Sequence, residues 1–137
     1  MASFPACLDT SVVLRLLVGQ PLDQYQVAMS FLSEAVTKHQ PVHVSDLVLA
    51  EAYFALQGHY HLPKADALKA LELFIKHSGV TASPVATRVL GQPNLASAKP
   101  GFVDRLIHGI CHAEGLTLVT FEKAARRLPS THLLLPQ

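Results

Sequence analysis

The chain has 137 residues, of which 50% are hydrophobic and 15% are charged. This composition supplies enough apolar side chains for a hydrophobic core, so it excludes an intrinsically disordered chain and predicts a single domain over residues 1–137. The formal net charge of +1 excludes the strong overall field of a very basic protein, so charge alone names no partner.

The first two thirds of the chain alternate short apolar runs with helical patterns. Strands are predicted over residues 4–8, 41–44 and 80–82, and helices from residue 11 or 12 to residue 18 and over residues 23–39, 46–57 and 63–77. Thr10 or Ser11 is expected to cap the first helix and Ser45 the third, because their hydroxyl groups accept hydrogen bonds from helical N–H groups. Asp9 therefore lies at the carboxyl end of the first strand.

The last third follows the same alternation. Helices are predicted over residues 84–90, 102–114 and 123–128, a buried strand over 116–121, a final strand over 133–135 and a loop over 91–101. Parallel strands need crossover connections, which are usually helices. The pattern therefore predicts an α/β protein, a three-layer α/β/α sandwich with a short, mainly parallel sheet.

The cysteines and the N-terminus indicate the compartment. Cys7 falls on the first predicted strand and Cys111 in a predicted helix, and their spacing is not that of a metal site. Both are expected to be buried, reduced core residues of a cytoplasmic protein. Asp9 and Arg15 interrupt the N-terminal apolar stretch, so neither a signal peptide nor a membrane span is predicted and the protein is expected to be soluble.

Four carboxylates lie within or at the ends of apolar segments: Asp9, Glu51, Asp104 and Glu122. Unpaired charges are costly in buried segments, and carboxylates that lie close together need a proton or a bound cation. Asp9 and Glu122 follow predicted strands, at the sheet edge where α/β proteins bind ligands. A set of carboxylates without His or Cys favours Mg²⁺ or Mn²⁺, and hydrolysis of phosphate esters is the chemistry that these ions usually support.

The segments that carry the four acids resemble, in order and spacing, the signature segments of PIN-domain nucleases. They are residues 8–17 (LDTSVVLRLL), 45–51 (SDLVLAE), 102–107 (FVDRLI) and 118–123 (LVTFEK). The resemblance spans essentially the whole chain and is nearest to VapC-type toxins, the ribonucleases of type II toxin–antitoxin pairs. It implies an endoribonuclease that depends on Mg²⁺ or Mn²⁺, forms a homodimer and is inhibited by a cognate antitoxin.

The same resemblance implies roles for individual residues. Asp9, Glu51 and Asp104 match the family's first three acids and are expected to hold metal or to orient metal-bound water, with Asp9 and Asp104 as direct ligands. Thr120 matches the hydroxyl residue just before the last acidic position and is expected to hold a ligand or a water by hydrogen bond. Ser11, close to Asp9, is expected to act similarly.

Glu122 departs from the family pattern, which more often has Asp at this position. The longer side chain favours a water-mediated role over direct coordination, although Glu122 remains a candidate metal ligand. Some family members carry a further acid shortly afterwards, whereas Ala124 and Ala125 follow here. A weakened or altered second metal site is therefore an open alternative.

Several candidates also have plainer interpretations. Asp9 and Glu122 can cap helices, and Glu51 can be an exposed helix residue. His108 and His112 can bind a transition metal, but no third ligand is evident and such histidines are more often hydrogen-bonded or exposed. A Ser or Cys nucleophile is disfavoured because the chain has no GxSxG motif.

Substrate and partner contacts are less specified than the acids. Basic residues near the acidic segments can contact phosphate or serve helix ends: Arg15, Arg105, Lys123, Arg126 and Arg127. Apolar residues of the early helices are expected to line an antitoxin-binding groove: Leu16, Leu17, Tyr53 and Phe54. A non-catalytic interaction domain and a DNA-directed or structure-specific nuclease remain alternative functions.

Overall fold

A computed structural model describes residues 5–136. The chain forms two units, residues 1–83 and residues 84–137, each held by its own internal contacts. Six α-helices and two pairs of short parallel strands occur among the described residues, so the predicted α/β class with parallel pairing is confirmed. The single domain over residues 1–137 stays a prediction.

The first unit contains four α-helices and one strand pair among its described residues. Its elements are α1 (Thr10–Val18), α2 (Leu22–Thr37), β1 (Val42–His43), α3 (Asp46–Gly58), α4 (Lys64–Ile75) and β2 (Val80–Thr81). β1 and β2 are parallel, with Val42 opposite Val80. The predicted first strand is observed only as a parallel bridge between Cys7 and His43, and its start at residue 4 lies outside the described residues.

The core of the first unit is formed by the apolar faces of its helices. α1 packs against α2 and α3, and α3 packs against α4. Val13, Leu49, Leu56 and Leu71 are completely buried. Leu49 and Leu56 are seven residues apart and therefore lie on one face of α3. Burying each such side chain contributes about 1.5–3 kcal/mol, so packing fixes the helices that carry or follow Asp9 and Glu51.

The helix ends follow local rules, with one shift. The hydroxyl of Ser45 accepts a hydrogen bond from the Val48 N–H at 3.2 Å, so the predicted cap of α3 is confirmed. The cap predicted at Thr10 or Ser11 is wrong, because α1 begins at Thr10 and Asp9 takes the position before it. Gly19 ends α1 with a φ of 81°, a conformation that costs glycine little because it lacks a side chain.

The second unit contains two α-helices, two 3₁₀ helices and one strand pair among its described residues. Its elements are α5 (Pro84–Leu90), a first 3₁₀ helix (Leu95–Ser97), α6 (Phe102–Ala113), β3 (Leu118–Thr120), a second 3₁₀ helix (Lys123–Arg127) and β4 (Thr131–Leu133). α5 packs against α6, and β3 runs parallel to β4 with Thr120 opposite Leu133. The predicted final strand is therefore displaced by two residues toward the N-terminus.

Two predictions of burial are wrong. The strand at residues 116–121 was expected to be buried, yet Val119 is 56% exposed and Phe121 is 66% exposed. A purely apolar run is typical of a strand covered on both faces, whereas β3 has β4 as its partner in a two-stranded sheet. Cys7 is exposed and Cys111 is half-buried, and both are free thiols. None of the described helices has the length and hydropathy needed to cross a membrane.

Gly109 allows α5 to approach α6 closely. A Cβ atom at this position would lie 2.6 Å from Cγ1 of Val85 and 2.9 Å from Nη2 of Arg88. Both distances are shorter than a normal van der Waals contact, so a larger residue here would displace α5 or its side chains. The guanidinium group of Arg88 therefore lies directly against the α6 backbone.

Glu72 on α4 forms ion pairs with Lys69 on the same helix and with Lys76, which directly follows it. These pairs predict how the stability of the fold depends on pH. Partial burial of its carboxylate raises its pKa, but the hydrogen bonds and charges of Lys76 and Lys69 outweigh this and hold the pKa below its ordinary value of 4.5. A lowered pKa stabilises the fold above the ordinary value, and this stabilisation is lost as pH falls through the folded-state pKa. Glu72→Gln is expected to lower the free energy of unfolding by roughly 0.5 kcal/mol at pH 7.

Urea unfolding of the wild type and Glu72→Gln at pH 7 and at pH values below 4.5 measures this effect. The two proteins are expected to differ at neutral pH and to converge in acid. A difference of the same size at both pH values would show that Glu72 acts through packing and not through its charge.

Candidate functional site

Asp9 lies at the carboxyl side of the bridged residue Cys7 and directly before α1. Its backbone is extended (φ −79°, ψ 160°), as in a helix cap, but its carboxylate accepts no hydrogen bond from the helix N–H groups. Oδ2 of Asp9 instead accepts a hydrogen bond from the Ser11 hydroxyl at 3.2 Å. The capping interpretation of the Asp9 side chain is therefore excluded, and the predicted proximity of Ser11 is confirmed.

A cavity of about 600 Å³ lies beside Asp9 in the first unit. Asp9, Ser11 and Arg15 line it from the segment that opens α1, and Phe31 contributes from α2. The side chain of Arg15 donates a hydrogen bond to Gln24, which also lines the cavity. The volume lies within the range of small-ligand sites, so Asp9 lines a space that is large enough for a small ligand.

Sequence reasoning missed two polar residues of this cavity, Asp23 and Gln24. Asp23 opens α2 and resembled an ordinary first-turn residue, which is the usual position of an acid that interacts favourably with the helix dipole. The hydrogen bond from Arg15 to Gln24 joins α1 to α2 and depends on how these helices pack. Neither residue belongs to a motif, so no signal in the sequence marks them.

Glu51 lies in the middle of α3, in the same unit as Asp9. Its side chain is exposed and makes no hydrogen bond or ion pair with the described residues. This geometry agrees with the plainer interpretation of an exposed helix residue, and it also leaves both carboxylate oxygens available to a ligand. α1 and α3 pack against each other, so the elements that carry Asp9 and Glu51 are neighbours.

Asp104 lies in the first turn of α6 in the second unit. Its carboxylate is exposed and has no hydrogen-bond partner among the described residues. The first turn of a helix carries partial positive charge, which stabilises an ionised carboxylate there by about 0.3–1 kcal/mol. Asp104 is therefore a charged, accessible group whose position is fixed by the helix.

Glu122 is held differently from the other three acids. Its Oε1 accepts a hydrogen bond from the Ala124 N–H at 3.1 Å and so caps the second 3₁₀ helix. The Thr120 hydroxyl oxygen accepts a hydrogen bond from the Glu122 N–H at 2.9 Å. The capping interpretation of Glu122 is confirmed, and Thr120 fixes the backbone of the turn that carries it.

All four carboxylates are exposed, so the expectation that they are embedded in buried structure is wrong. Asp9 and Glu122 lie at turns, Glu51 lies on the outer face of α3 and Asp104 lies in the first turn of a helix. Apolar neighbours along the sequence do not bury a residue whose own side chain points to solvent. The cost of burying a charge is therefore not a reason for these carboxylates to bind a cation.

The donor chemistry of the four acids fits a hard divalent cation, because their ligands would be oxygens only. No group of three or more His, Cys, Asp or Glu side chains lies close enough to hold a metal ion among residues 5–136. Asp9 and Glu51 belong to the first unit, and Asp104 and Glu122 belong to the second. The convergence of the four acids stays a prediction.

The histidine pair of α6, His108 and His112, is held by a hydrogen bond and by ring stacking. His108 is 8% exposed, and its Nε2 lies 2.6 Å from the carbonyl oxygen of Pro129. The rings of His108 and His112 stack with their centroids 5.7 Å apart. The interpretation of His108 as a hydrogen-bonded residue is therefore confirmed.

The residues expected to line an antitoxin groove are not equally accessible. Tyr53 is 6% exposed and packs its ring against Phe54, which is 58% exposed. Leu16 and Leu17 are partly exposed. Phe54 is thus the member of this set that is most available to a partner.

The comparisons with known proteins give one finding about the family. The family model for the PIN domain matches residues 6–130, which include all four acids and both units. No significant match was found among curated proteins or among solved structures. PIN domains are generally nucleases, and they typically use divalent metal ions. With six α-helices and short parallel strands among its described residues and a match across nearly its whole length, the chain belongs to the PIN-domain family.

Proposed function

We propose that the protein is an endoribonuclease that depends on Mg²⁺ or Mn²⁺ and serves as the toxin of a toxin–antitoxin pair. The observation that supports the nuclease activity is Asp9: it matches the first acid of the family pattern, its carboxylate makes no capping hydrogen bond to α1, and it lines a cavity of about 600 Å³. The family match over residues 6–130 supports the same reaction class.

Asp9 and Asp104 are the residues that we propose as direct ligands of the cation, with Glu51 as the third. Each is exposed and makes no ion pair among the described residues. Glu122 has one oxygen engaged with the Ala124 N–H, so a water-mediated role fits it better than direct coordination. The chemistry that such a cation supplies is neutralisation of phosphate charge and acidification of water.

Two hydroxyl residues position the acids. Ser11 donates to Oδ2 of Asp9 and so limits the rotation of this carboxylate, while Oδ1 remains available. Thr120 accepts from the Glu122 N–H and sets the direction in which the Glu122 side chain leaves the backbone. Such outer contacts commonly determine how well a carboxylate is oriented for its ligand.

Metal removal tests the proposed reaction. Purified protein is expected to cleave RNA with Mg²⁺ or Mn²⁺ and to lose at least about 100-fold in rate when EDTA removes the ion, because phosphate charge is then no longer neutralised. Gel electrophoresis of labelled RNA measures the rate, and readdition of Mn²⁺ should restore it. Cleavage that continues unchanged in EDTA would contradict metal dependence, and cleavage of DNA in place of RNA would favour the DNA-directed alternative.

A non-catalytic interaction domain is the second candidate, and the capping role of Glu122 favours it. A carboxylate that accepts a hydrogen bond from its own helix has fewer free oxygens to bind a metal ion. A weaker metal site would in turn lower the nuclease activity. Calorimetry with Mn²⁺ separates the two functions. A binding signal that Asp9→Asn abolishes supports the nuclease, whereas the absence of any signal supports the interaction domain.

The proposed partners are a second copy of the chain and a small antitoxin. Exposed apolar side chains on the early helices support a protein-binding surface: Phe54 is 58% exposed, Val27 is 72% exposed and Phe31 is 47% exposed. Light scattering at micromolar concentration tests the homodimer. A gene for a small DNA-binding protein directly upstream would support the antitoxin.

A further inference from the structure

A second cavity, of about 300 Å³, lies in the second unit and differs from the first in its charge. Its polar lining consists of Arg88, Gln92, Arg105, His108 and His112. Apolar walls come from Val89, Leu128 and Pro129. No carboxylate lines this basic pocket, and neither Asp104 nor Glu122 belongs to it.

The basic pocket follows from residue spacing on α6. Arg105, His108 and His112 are related by steps of three and four residues, so they form one stripe along the helix. Asp104 precedes Arg105 by one residue and His108 by four, so it lies beside this stripe on α6, although it is not among the residues that line the pocket. The pocket and the Asp104 carboxylate therefore lie next to each other on one rigid element.

Arg105 is fixed in place without being neutralised. Its Nε donates to the Pro100 carbonyl at 2.7 Å, its Nη1 to Oε1 of Gln92 at 3.3 Å, and its Nη2 to the Lys99 carbonyl at 3.4 Å. All three acceptors are neutral, so the full positive charge remains. Two of its five N–H groups are left for a ligand.

Arg88 supplies a second uncompensated charge. Its Nη2 lies 2.9 Å from the place where a Cβ atom at Gly109 would be, so the absent side chain makes room for the guanidinium. The ion pairs found among the described residues join Lys38, Lys69 and Lys76 to glutamates, and neither Arg88 nor Arg105 takes part. An arginine fork without a carboxylate is well suited to bind the oxygens of a phosphate group.

The two histidines of the pocket have different hydrogen-bonding capacity, because the N–H of His108 is already engaged. Because the Pro129 carbonyl can only accept a hydrogen bond, Nε2 of His108 carries a proton and donates to it. His112 is exposed and stacks on His108 with an angle of 14° between the rings. The imidazole of His112 lines the same pocket as both arginines, and its N–H group is a further donor for a ligand.

We propose that the basic pocket binds a backbone phosphate of the RNA substrate. The proposal rests on the proposed ribonuclease function and adds a substrate contact that is separate from the four acids. The guanidinium groups of Arg88 and Arg105, the imidazole of His112 and the lack of a carboxylate in the lining favour a compact anion. Because α6 carries both the pocket and Asp104, a phosphate bound here holds the RNA strand in a set register relative to that carboxylate.

RNA affinity in EDTA tests the pocket without requiring catalysis. Fluorescence anisotropy with a short labelled single-stranded RNA is measured for wild type, Arg88→Gln, Arg88→Lys and Lys64→Gln, at about 50 to 200 mM salt. Arg88→Gln is expected to weaken binding about tenfold and to reduce the salt slope by about 0.7, the value for one phosphate contact on a single strand. Arg88→Lys should retain much of the affinity.

Lys64→Gln is the matched control. Lys64 is exposed on α4, so this substitution removes one positive charge, as Arg88→Gln does, but from a different unit. If Lys64→Gln weakens RNA binding as much as Arg88→Gln does, the effect comes from the net charge of the protein, and the proposal is overturned. Unchanged binding by Arg88→Gln overturns it whether or not the protein cleaves RNA. Weakened binding in a protein that cleaves no RNA supports the pocket and counts against the proposed catalytic function.

A second arm distinguishes RNA from a free anion. Inorganic phosphate is titrated into the wild type and Arg88→Gln while the ring signals of the histidines are followed by NMR. Shifts of His108 and His112 that Arg88→Gln removes, together with weakened RNA binding, support the proposal. The same shifts with unchanged RNA affinity identify a free-anion site and overturn the assignment to RNA.

Discussion

Asp9→Asn and Asp104→Asn are each expected to lower the rate of RNA cleavage by about 100- to 1,000-fold, whereas Glu122→Gln is expected to lower it about tenfold or less. Asn keeps the shape of Asp but removes the negative charge that a cation requires. The difference in size follows from the structure. The Asp9 and Asp104 carboxylates bind no helix N–H group, whereas the Glu122 side chain is engaged by the Ala124 N–H.

Asp66→Asn provides a matched control for this series. Asp66 is an exposed acid in the first turn of α4, as Asp104 is in the first turn of α6, so the substitution is chemically identical. Cleavage rates of labelled RNA are compared under the same Mn²⁺ concentration, and circular dichroism checks that each variant is folded. If Asp66→Asn lowers the rate as much as Asp104→Asn does, or if Glu122→Gln has the largest effect, the proposed division of roles is wrong.

The parts of the fold that were predicted correctly depend on short-range signals. α5 spans Pro84–Leu90, as its opening proline and following Gly91 indicate, and Ser45 caps α3 through a residue three positions later. Helical periodicity, caps and breakers act within a few residues, so they can be read from the chain without knowledge of its neighbours.

The errors concern quantities that depend on distant partners. Val119 was expected to be buried because its segment is continuously apolar, but the face of β3 from which it projects is not fully covered, and its side chain is 56% exposed. Cys7 was expected on a buried strand, and it is an exposed residue in an isolated bridge. Sequence pattern reports hydrophobicity, whereas burial depends on which elements cover a strand.

The candidate site shows the same division. Resemblance identified Asp9, Glu51 and Asp104 by their order along the chain, and the structure places all three on accessible surface. The pattern did not distinguish the free carboxylate of Asp9 from the capping carboxylate of Glu122. That distinction depends on whether the turn before a helix directs the side chain toward the helix N–H groups, as it does for Glu122 and not for Asp9. The order of residues along the chain does not determine this direction.

Phe102→Ala is expected to destabilise the protein by about 3–5 kcal/mol, whereas Phe121→Ala is expected to cost less than about 1 kcal/mol. Phe102 begins α6 and is 1% exposed, so its removal leaves a cavity in the core. Phe121→Ala removes the same atoms, but Phe121 is 66% exposed, so the substitution leaves no comparable cavity in the core. Thermal and urea unfolding of both variants measures the difference.

The comparison also tests how α6 supports function. Phe102 lies two residues before Asp104, so the packing that anchors the first turn of α6 also fixes the Asp104 carboxylate and the stripe of Arg105, His108 and His112. Phe102→Ala should therefore lower the temperature up to which RNA is bound, in step with its loss of stability. An equally large loss for Phe121→Ala would show instead that Phe121 is covered in solution, which would indicate that a second molecule packs against β3.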